Sequence, residues 1–156
     1  MPKLHKRRVM RRKDARGLLG EAAPLLGGVK PATVEQAELN GIQVYLLDGS
    51  ILLARREGVL FPTLTSPGLE RLPTVTVDMG AVPYICNGAD VMAPGVVEVR
   101  GDFEAGSLVV VRDTRHGKPL AVGRAMKSSA EMKTAKSGKV VEALHYVGDK
   151  LWKSLG

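Results

Sequence analysis

The stretch TVTVDMGAVPYICNGADVMAPG, residues 74 to 95, restricts the fold of this chain more than any other part of the sequence. Its β-branched opening favours an extended strand, and Asp78 then offers a carboxylate to the first free N–H groups of a helix. The pattern predicts a short helix that begins near Met79 and ends by Gly88, with Pro83 tolerated in its first turn. A loop rich in glycine and proline follows. The stretch therefore predicts a strand, a short helix and a glycine loop in succession.

This order of elements favours binding over catalysis. A helix start and a glycine loop both present main-chain N–H groups, and a phosphate or sugar can come close where no side chain intervenes. Asp78 and Asp90 form a tempting carboxylate pair, but the first suits a helix cap and the second a loop, without a histidine or metal cluster at hand. Ser128 and Ser129 lack the setting of a catalytic nucleophile. The sequence predicts that the chain is not an enzyme.

Composition limits the cofactors and partners to be expected. Cys86 is the only cysteine and the three histidines are dispersed, so the sequence predicts no metal site and no cofactor. Aromatic residues make up 4% of the chain, which leaves few platforms on which bases could stack. No apolar run approaches the roughly 20 residues of a membrane span, and the N-terminus lacks the apolar segment of a secretion signal. We expect a cytoplasmic protein that does not act at a membrane.

The positive charge is concentrated near the N-terminus. The formal net charge is +7, and residues 1 to 30 hold nine lysine or arginine residues against two acids. The pattern is compatible with a helix from about Lys6 to Leu19. We interpret its basic side chains as an arm that contacts RNA phosphates, and the residues concerned are Lys6, Arg7, Arg8, Arg11, Arg12 and Lys13. A solvated face that serves solubility and a nuclear import signal are the alternatives.

Turn signals organise the chain between residues 41 and 73. GIQVYLL and SILLARR flank Asp48-Gly49, a pair that favours a two-residue hairpin turn. Glu57-Gly58 turns the chain again, and Pro62 marks an edge strand or its end. TSPGLERLP, at 65 to 73, has the composition of a linker.

These signals predict two domains that meet near Leu72. Residues 1–72 would form an α+β domain that includes the basic segment. Residues 73–156 would form a mostly β domain with two short helices, the second capped by Ser128 or Ser129. Leu151 and Trp152, near the C-terminus, are expected to be buried.

Three stretches resemble a known family. VDMGAVPYICNGADVMAPGV looks like the opening motif of the PUA domain, an RNA-binding module. Together with REGVLFPTL at 56–64 and MKSSAEMKTAKSGKVVEALHYVGDKLW at 126–152, it resembles the malignant T-cell-amplified protein family, in an archaeal-type member. The resemblance implies an N-terminal pre-PUA domain followed by a PUA pseudo-barrel. It also implies that RNA lies over the helix start, the glycine loop and an adjacent strand, which here are Met79, Gly80, Ala81, Gly88, Ala89, Asp90, Met92, Ala93, Pro94, Gly95, Arg124 and Lys127.

The resemblance further implies a role in translation. It points to structured RNA, either ribosomal RNA of the small subunit or tRNA, and to a non-enzymatic accessory factor in initiation or recycling. A protein like the density-regulated protein is the expected partner, docking on the first domain. A glycine-lined surface with few aromatics should recognise a stem or stem end by shape. Two alternatives stay open: an RNA-targeting subunit of a tRNA- or rRNA-modifying enzyme, and a protein-interaction module whose basic segment serves only solubility.

Overall fold

The computed structural model describes residues 2–155, which divide into two compact units. The first unit runs to Arg71 and also takes in the chain from Lys150 onward, while the second comprises Leu72–Asp149. Each unit has a sheet and a hydrophobic core of its own.

The first unit contains a five-stranded antiparallel sheet. Its strands are β1 (His5–Val9), β2 (Val34–Leu39), β3 (Ile42–Leu47), β4 (Ser50–Arg56) and β5 (Val59–Pro62), and they lie side by side in chain order. The predicted strands β3 to β5 are confirmed, and Pro62 ends an edge strand as expected. Strand β2 was not predicted, although Asn40-Gly41 after it is also a hairpin-turn pair.

The three hairpin turns of this sheet share one backbone geometry. Both central residues have positive φ in each turn: 48° and 81° at Asn40-Gly41, 50° and 85° at Asp48-Gly49, and 51° and 79° at Glu57-Gly58. Such turns match the twist of the paired strands, and glycine at the second position adopts the conformation without a Cβ clash. The two turns predicted from the sequence are confirmed.

The N-terminal segment is a strand before it is a helix. The predicted helix from Lys6 to Leu19 is wrong in its first half, because β1 pairs antiparallel with β2 and helix α1 (Arg12–Glu21) begins only afterwards. Cross-strand partners on β2 favour the extended chain there. In α1, Leu18 is buried, and its core cluster includes Ala22, Val34, Tyr45, Leu47, Leu53 and Leu60.

The second unit curls into a pseudo-barrel. Its strands are β6 (Thr74–Val77), β7 (Val91–Met92), β8 (Val96–Arg100), β9 (Leu108–Asp113), β10 (Pro119–Ala125) and β11 (Lys139–Tyr146). They are ordered β7-β11-β10-β9-β6-β8, and the β6–β9 pair is parallel. The turn Ala93–Gly95 connects β7 directly to β8, so the two edge strands of the sheet are consecutive in the chain.

Two short helices, α2 (Val82–Ile85) and α3 (Ser129–Thr134), complete the second unit. Ser128 caps α3 as predicted: its side chain accepts the N–H of Glu131 at 3.2 Å, and the Glu131 carboxylate accepts the N–H of Ser128 at 3.1 Å. The hydrogen bond from the main chain of Ser128 lowers the pKa of Glu131. The predicted fold class, an α+β unit followed by a mostly β pseudo-barrel with two short helices, is confirmed.

A fourth helix, α4 (Lys150–Lys153), belongs to the first unit. Leu151 is buried as predicted, but Trp152 is 42% exposed, so the prediction of its burial is wrong. Successive residues of a helix point about 100° apart. A one-turn helix that buries Leu151 therefore leaves Trp152 exposed to solvent.

Candidate nucleic-acid interface

The segment after β6 begins with a capped turn. One Asp78 carboxylate oxygen accepts the N–H of Ala81 at 2.9 Å and so closes the turn before the helix. The predicted role of Asp78 as the cap of the helix is wrong, because the residue before α2 is Ala81 and no side chain among the described residues caps the helix. The N–H of Asp78 itself donates to the carbonyl of Gly95 at 2.9 Å and ties the turn to the connection between β7 and β8. Helix α2 begins at Val82 and not near Met79, because residues 79–81 form a separate turn. The helix has four residues, fewer than the two turns predicted.

A depression of about 360 Å³ lies between this turn, α2 and the β7–β8 connection. It brings together seven of the residues predicted to contact RNA, which are Gly80, Ala81, Ala89, Asp90, Met92, Pro94 and Gly95. Its remaining lining residues are Asp78, Tyr84, Ile85 and Val91. The depression is therefore an accessible surface made from the turn, the helix and the glycine loop that the sequence pattern singled out.

Tyr84 is the side chain of this depression that the sequence reasoning missed. It is 70% exposed, whereas Ile85 beside it is 2% exposed and packs in the barrel core. A four-residue helix can bury only one of two neighbouring residues, and here it buries Ile85. An exposed aromatic ring in a depression offers a stacking surface for a base.

The predicted glycines differ in what surrounds them. Gly88 has φ +93°, and a Cβ there would lie 3.0 Å from the hydroxyl oxygen of Tyr146. Gly88 therefore meets a packing requirement in the loop, and it is not among the residues that line the depression. Gly95 does line it, and a Cβ there would lie 3.3 Å from that of Ala81.

Ala93, another predicted contact, is 6% exposed and belongs to the barrel core. Its N–H donates to the carbonyl of Gly138 at 2.8 Å, so its main-chain donor is also used. The structure therefore gives Ala93 a place in the barrel closure and leaves its side chain unavailable to a ligand.

Asp90 ties the glycine loop to β11. One carboxylate oxygen accepts the N–H of Ala143 at 2.9 Å, and the other lies 3.5 Å from the ammonium of Lys139. Lys139 stands opposite Met92 in the β7–β11 register and is largely exposed. It is a basic residue beside the depression that the sequence reasoning did not single out, because the pairing of two distant segments cannot be read from their local patterns.

Arg124 and Lys127, the predicted contacts on an adjacent strand, do not lie next to β7 in the sheet. Arg124 is on β10, which β11 separates from β7, and its guanidinium donates to Glu142 at 3.0 Å. Lys127 follows the end of β10 at Ala125. Their contact with RNA stays a prediction.

The basic N-terminal segment divides into a paired and an unpaired half. Arg7 donates to both carboxylate oxygens of Glu35, at 2.8 and 3.1 Å, and these hydrogen bonds lower the pKa of Glu35 and raise the pKa of Arg7. Lys6 lies 3.7 Å from Glu38, and Arg8 donates to the side-chain oxygen of Gln36. Among residues 2–155, no acidic partner is found for the exposed side chains of Arg11, Arg12 and Lys13.

Two chemical features are absent from the part of the chain that the structure describes. No three histidine, cysteine, aspartate or glutamate side chains gather closely enough to hold a metal ion within residues 2–155. No helix in that range has the length and apolar character needed to cross a membrane.

Comparison with known families and proteins adds to this geometry. The family model described as PUA domain matches residues 73–147. An uncharacterized protein of Methanocaldococcus jannaschii, MJ1432, is 35% identical, and the alignment covers 98% of this chain and 99% of the relative. Translation machinery-associated protein 20 of Saccharomyces cerevisiae is 34% identical over 71% of this chain, and malignant T-cell-amplified sequence 1-B of Xenopus laevis is 31% identical over 71%. The alignments span 66% and 65% of those two proteins.

Solved structures share the same fold. The hypothetical protein PH0734.1 of Pyrococcus horikoshii is 31% identical with a TM-score of 0.82, and the match covers 96% of this chain and 99% of that protein. A protein chain in the structure of an H/ACA ribonucleoprotein bound to a substrate RNA has a TM-score of 0.51 and 26% identity. That match covers 61% of this chain and 29% of the other.

Proposed function

This chain belongs to the family of PUA-domain proteins that includes translation machinery-associated protein 20 and the malignant T-cell-amplified proteins, and we propose that it binds structured RNA of the translation apparatus without altering it chemically. The PUA match indicates RNA binding, and the names of the relatives indicate a role connected with translation. Beyond RNA binding and a link with translation, we propose the binding site, the kind of RNA and the partner protein.

The depression beside α2 is the observation that supports the proposal most. Its rim combines three features that suit a folded RNA: Gly80 and Gly95, which carry no side chain over their main chain, the exposed ring of Tyr84, and the ammonium of Lys139 on the strand next to β7. The Lys139 ammonium is shared with Asp90, which lies 3.5 Å away. Exposed main-chain donors can bind phosphate or ribose oxygens, and an unstacked base at a stem end can lie on an aromatic ring. A site of this kind recognises shape more than sequence.

The N-terminal unit supplies a second, electrostatic contribution in this proposal. The unpaired cations Arg11, Arg12 and Lys13 attract phosphates and release counterions from RNA without reading its bases. Two weak sites on one chain bind more tightly together than either does alone. We propose a division between the units near Leu72, with the PUA domain as the shape-selective part.

The biological target in this proposal is small-subunit ribosomal RNA or the acceptor end of tRNA, in the cytoplasm. The chain acts as an accessory factor in translation initiation or recycling, and a protein like the density-regulated protein docks on the N-terminal unit. The names of the yeast and frog relatives support the link with translation.

Substitution of Tyr84 tests the proposal. Because a stacked base contributes about 1–3 kcal/mol, Tyr84→Ala should weaken binding of a tRNA transcript about tenfold, while Tyr84→Phe should keep most of the affinity. Val97→Ala is the matched control, since Val97 is 55% exposed in the same unit and is not among the residues that line the depression. The measurement is a fluorescence-anisotropy titration at fixed salt. Equal affinities for Tyr84→Ala and the wild type would place the RNA elsewhere.

One observation favours a second function. The similarity to a chain of an H/ACA ribonucleoprotein with a substrate RNA is compatible with a subunit that brings RNA to a modification enzyme. Affinity purification of the tagged chain from native extract distinguishes the two functions. Recovery of small ribosomal subunits supports the translation factor, and recovery of a tRNA- or rRNA-modifying enzyme supports the alternative.

A further inference from the structure

The turn that connects β9 and β10 carries a group of exposed basic side chains. We call residues 113–118 the cationic turn, in which Arg115, His116 and Lys118 are exposed. The sequence DTRHGK has the composition of an ordinary turn, and nothing in it distinguishes a solubilising loop from a binding element. The surroundings of the turn in the structure make that distinction.

The one acidic residue of the cationic turn forms no ion pair with Arg115 or Lys118. Asp113 is 4% exposed, and its carboxylate oxygens accept the N–H groups of His116 at 2.6 Å and Lys118 at 3.3 Å. These main-chain hydrogen bonds, chiefly that from His116, lower the pKa of Asp113 and keep it ionised. The carboxylate thus fixes the shape of the turn, and it leaves the side-chain cations of Arg115 and Lys118 to face solvent.

Three other cations of the second unit form ion pairs with carboxylates. Arg100 donates to Glu98 at 2.6 Å, Arg124 to Glu142 at 3.0 Å, and Lys139 lies 3.5 Å from Asp90. Within residues 2–155, Arg115 and Lys118 have no such carboxylate partner. Cations that are exposed and unpaired are the ones that an external phosphate can engage without first breaking an ion pair.

The cationic turn lies beside the segment that forms the depression. Strands β6 and β9 are parallel with Val77 opposite Asp113, and the N–H of Thr114 donates to the carbonyl of Val77 at 3.0 Å. The residue after Val77 is Asp78, the first residue of the depression lining. The turn is therefore next to the start of the segment that forms the depression.

We propose that the cationic turn is a phosphate-binding site for the RNA that occupies the depression, and that Arg115 and Lys118 contact consecutive phosphates of the strand leaving it. This inference rests on the proposed function and extends its site to a part of the barrel that neither the family resemblance nor the sequence pattern indicated. The guanidinium of Arg115 can take two phosphate oxygens in a fork, and the ammonium of Lys118 acts as a point charge. Neither side chain reads a base, so the turn adds affinity and orientation, not sequence preference.

The test compares two double variants of equal charge. Arg115→Gln with Lys118→Gln removes both cations of the turn, and Lys133→Gln with Lys136→Gln removes two exposed cations around α3 in the same unit. Affinity for a tRNA transcript is measured across a salt series. The turn variant should bind about tenfold more weakly and lose about 1.5 from the slope of log affinity against log salt, because each phosphate contact adds about 0.7–0.9 to it. The control should change affinity less than about twofold by the same reasoning.

Three other outcomes would overturn the inference. Equal losses in the two double variants would mean that only net charge matters. The turn variant could also keep the affinity and salt slope of the wild type while Tyr84→Ala binds weakly. That result would show that the turn is not part of the site, and the proposed function would still hold. Absence of any salt-dependent binding by the wild type would refute both this inference and the proposed function. Circular dichroism of each variant establishes that the fold is kept, and because all four side chains are exposed we expect no loss of stability beyond about 0.5 kcal/mol.

Discussion

Gly88 and Asp78 show how far single residues of this site can be interpreted without the structure. Asp78 follows a β-branched run, and its hydrogen bond to the N–H of Ala81 depends only on neighbours along the chain, although it closes a turn and does not cap the helix as predicted. In the sequence, Gly88 suggests a loop that a ligand can approach. In the structure, glycine is required there because a Cβ would contact Tyr146, which is more than fifty residues away in the sequence. Local chemistry can be predicted from the sequence, whereas the neighbours brought by folding cannot.

Gly88→Ala should therefore act on stability. The variant combines a positive φ with a Cβ 3.0 Å from the Tyr146 hydroxyl, and we expect it to lower the free energy of unfolding by about 1–3 kcal/mol. Gly106→Ala is the matched control, because Gly106 has nearly the same φ, +94°, with nothing within 4 Å of the added Cβ. Urea denaturation compares the two variants. Equal losses would contradict the packing role of Gly88.

At the scale of elements, hairpin turns were predicted better than the pairing of strands. The pairs at Asp48-Gly49 and Glu57-Gly58 specify hairpins locally, and the structure has hairpins at both. Strand β1 was mistaken for a helix because its five residues are all exposed and therefore show no apolar alternation. Its position depends on β2, a strand whose sequence, VEQAEL, has no strong signal of its own. Because strand pairing cannot be predicted from local patterns, Lys139 was not identified beside the loop, and the position of Arg124 two strands from β7 was not anticipated.

The paired and unpaired halves of the basic segment should differ in their effect on RNA binding. Arg11→Gln with Arg12→Gln removes two exposed cations without a carboxylate partner among the described residues, and we expect a severalfold loss of affinity and a smaller salt slope. Lys6→Gln with Arg7→Gln removes the same charge, but Glu38 and Glu35 already compensate those cations, so the loss should be smaller. Binding of a tRNA transcript over a salt series measures both. A larger loss from the second pair would refute the phosphate-arm interpretation for Arg11 and Arg12.

This pair of variants is a sharper test than removal of the first sixteen residues. Such a truncation would delete β1 and the first half of α1, and with them an edge of the first sheet. Loss of affinity would then report unfolding as readily as loss of phosphate contacts. Point substitutions at exposed positions leave the sheet in place.

At the scale of the whole molecule, the fold class could be predicted from the sequence. Turn pairs and capping residues mark single elements locally, and the family resemblance implied how these elements assemble into two units, each with its own sheet and core. The candidate site was anticipated in part. The chain segment that builds the depression was predicted, since it is continuous in sequence. Its aromatic ring at Tyr84 was missed, because its exposure depends on how short the helix is. Its basic neighbours were missed because they come from β11 and from the β9–β10 connection, which only the curled sheet brings alongside.

The most direct test of the central claim is the response of individual backbone amides to RNA. A ¹⁵N-labelled sample of the full chain, titrated with a tRNA transcript, reports each N–H by its NMR chemical shift. If the depression beside α2 holds the RNA, the amides of Gly80, Ala81 and Gly95 shift or broaden together, and the resonances of the α3 region stay in place. Saturating RNA that leaves these three amides unchanged, while others shift or none does, would contradict the account.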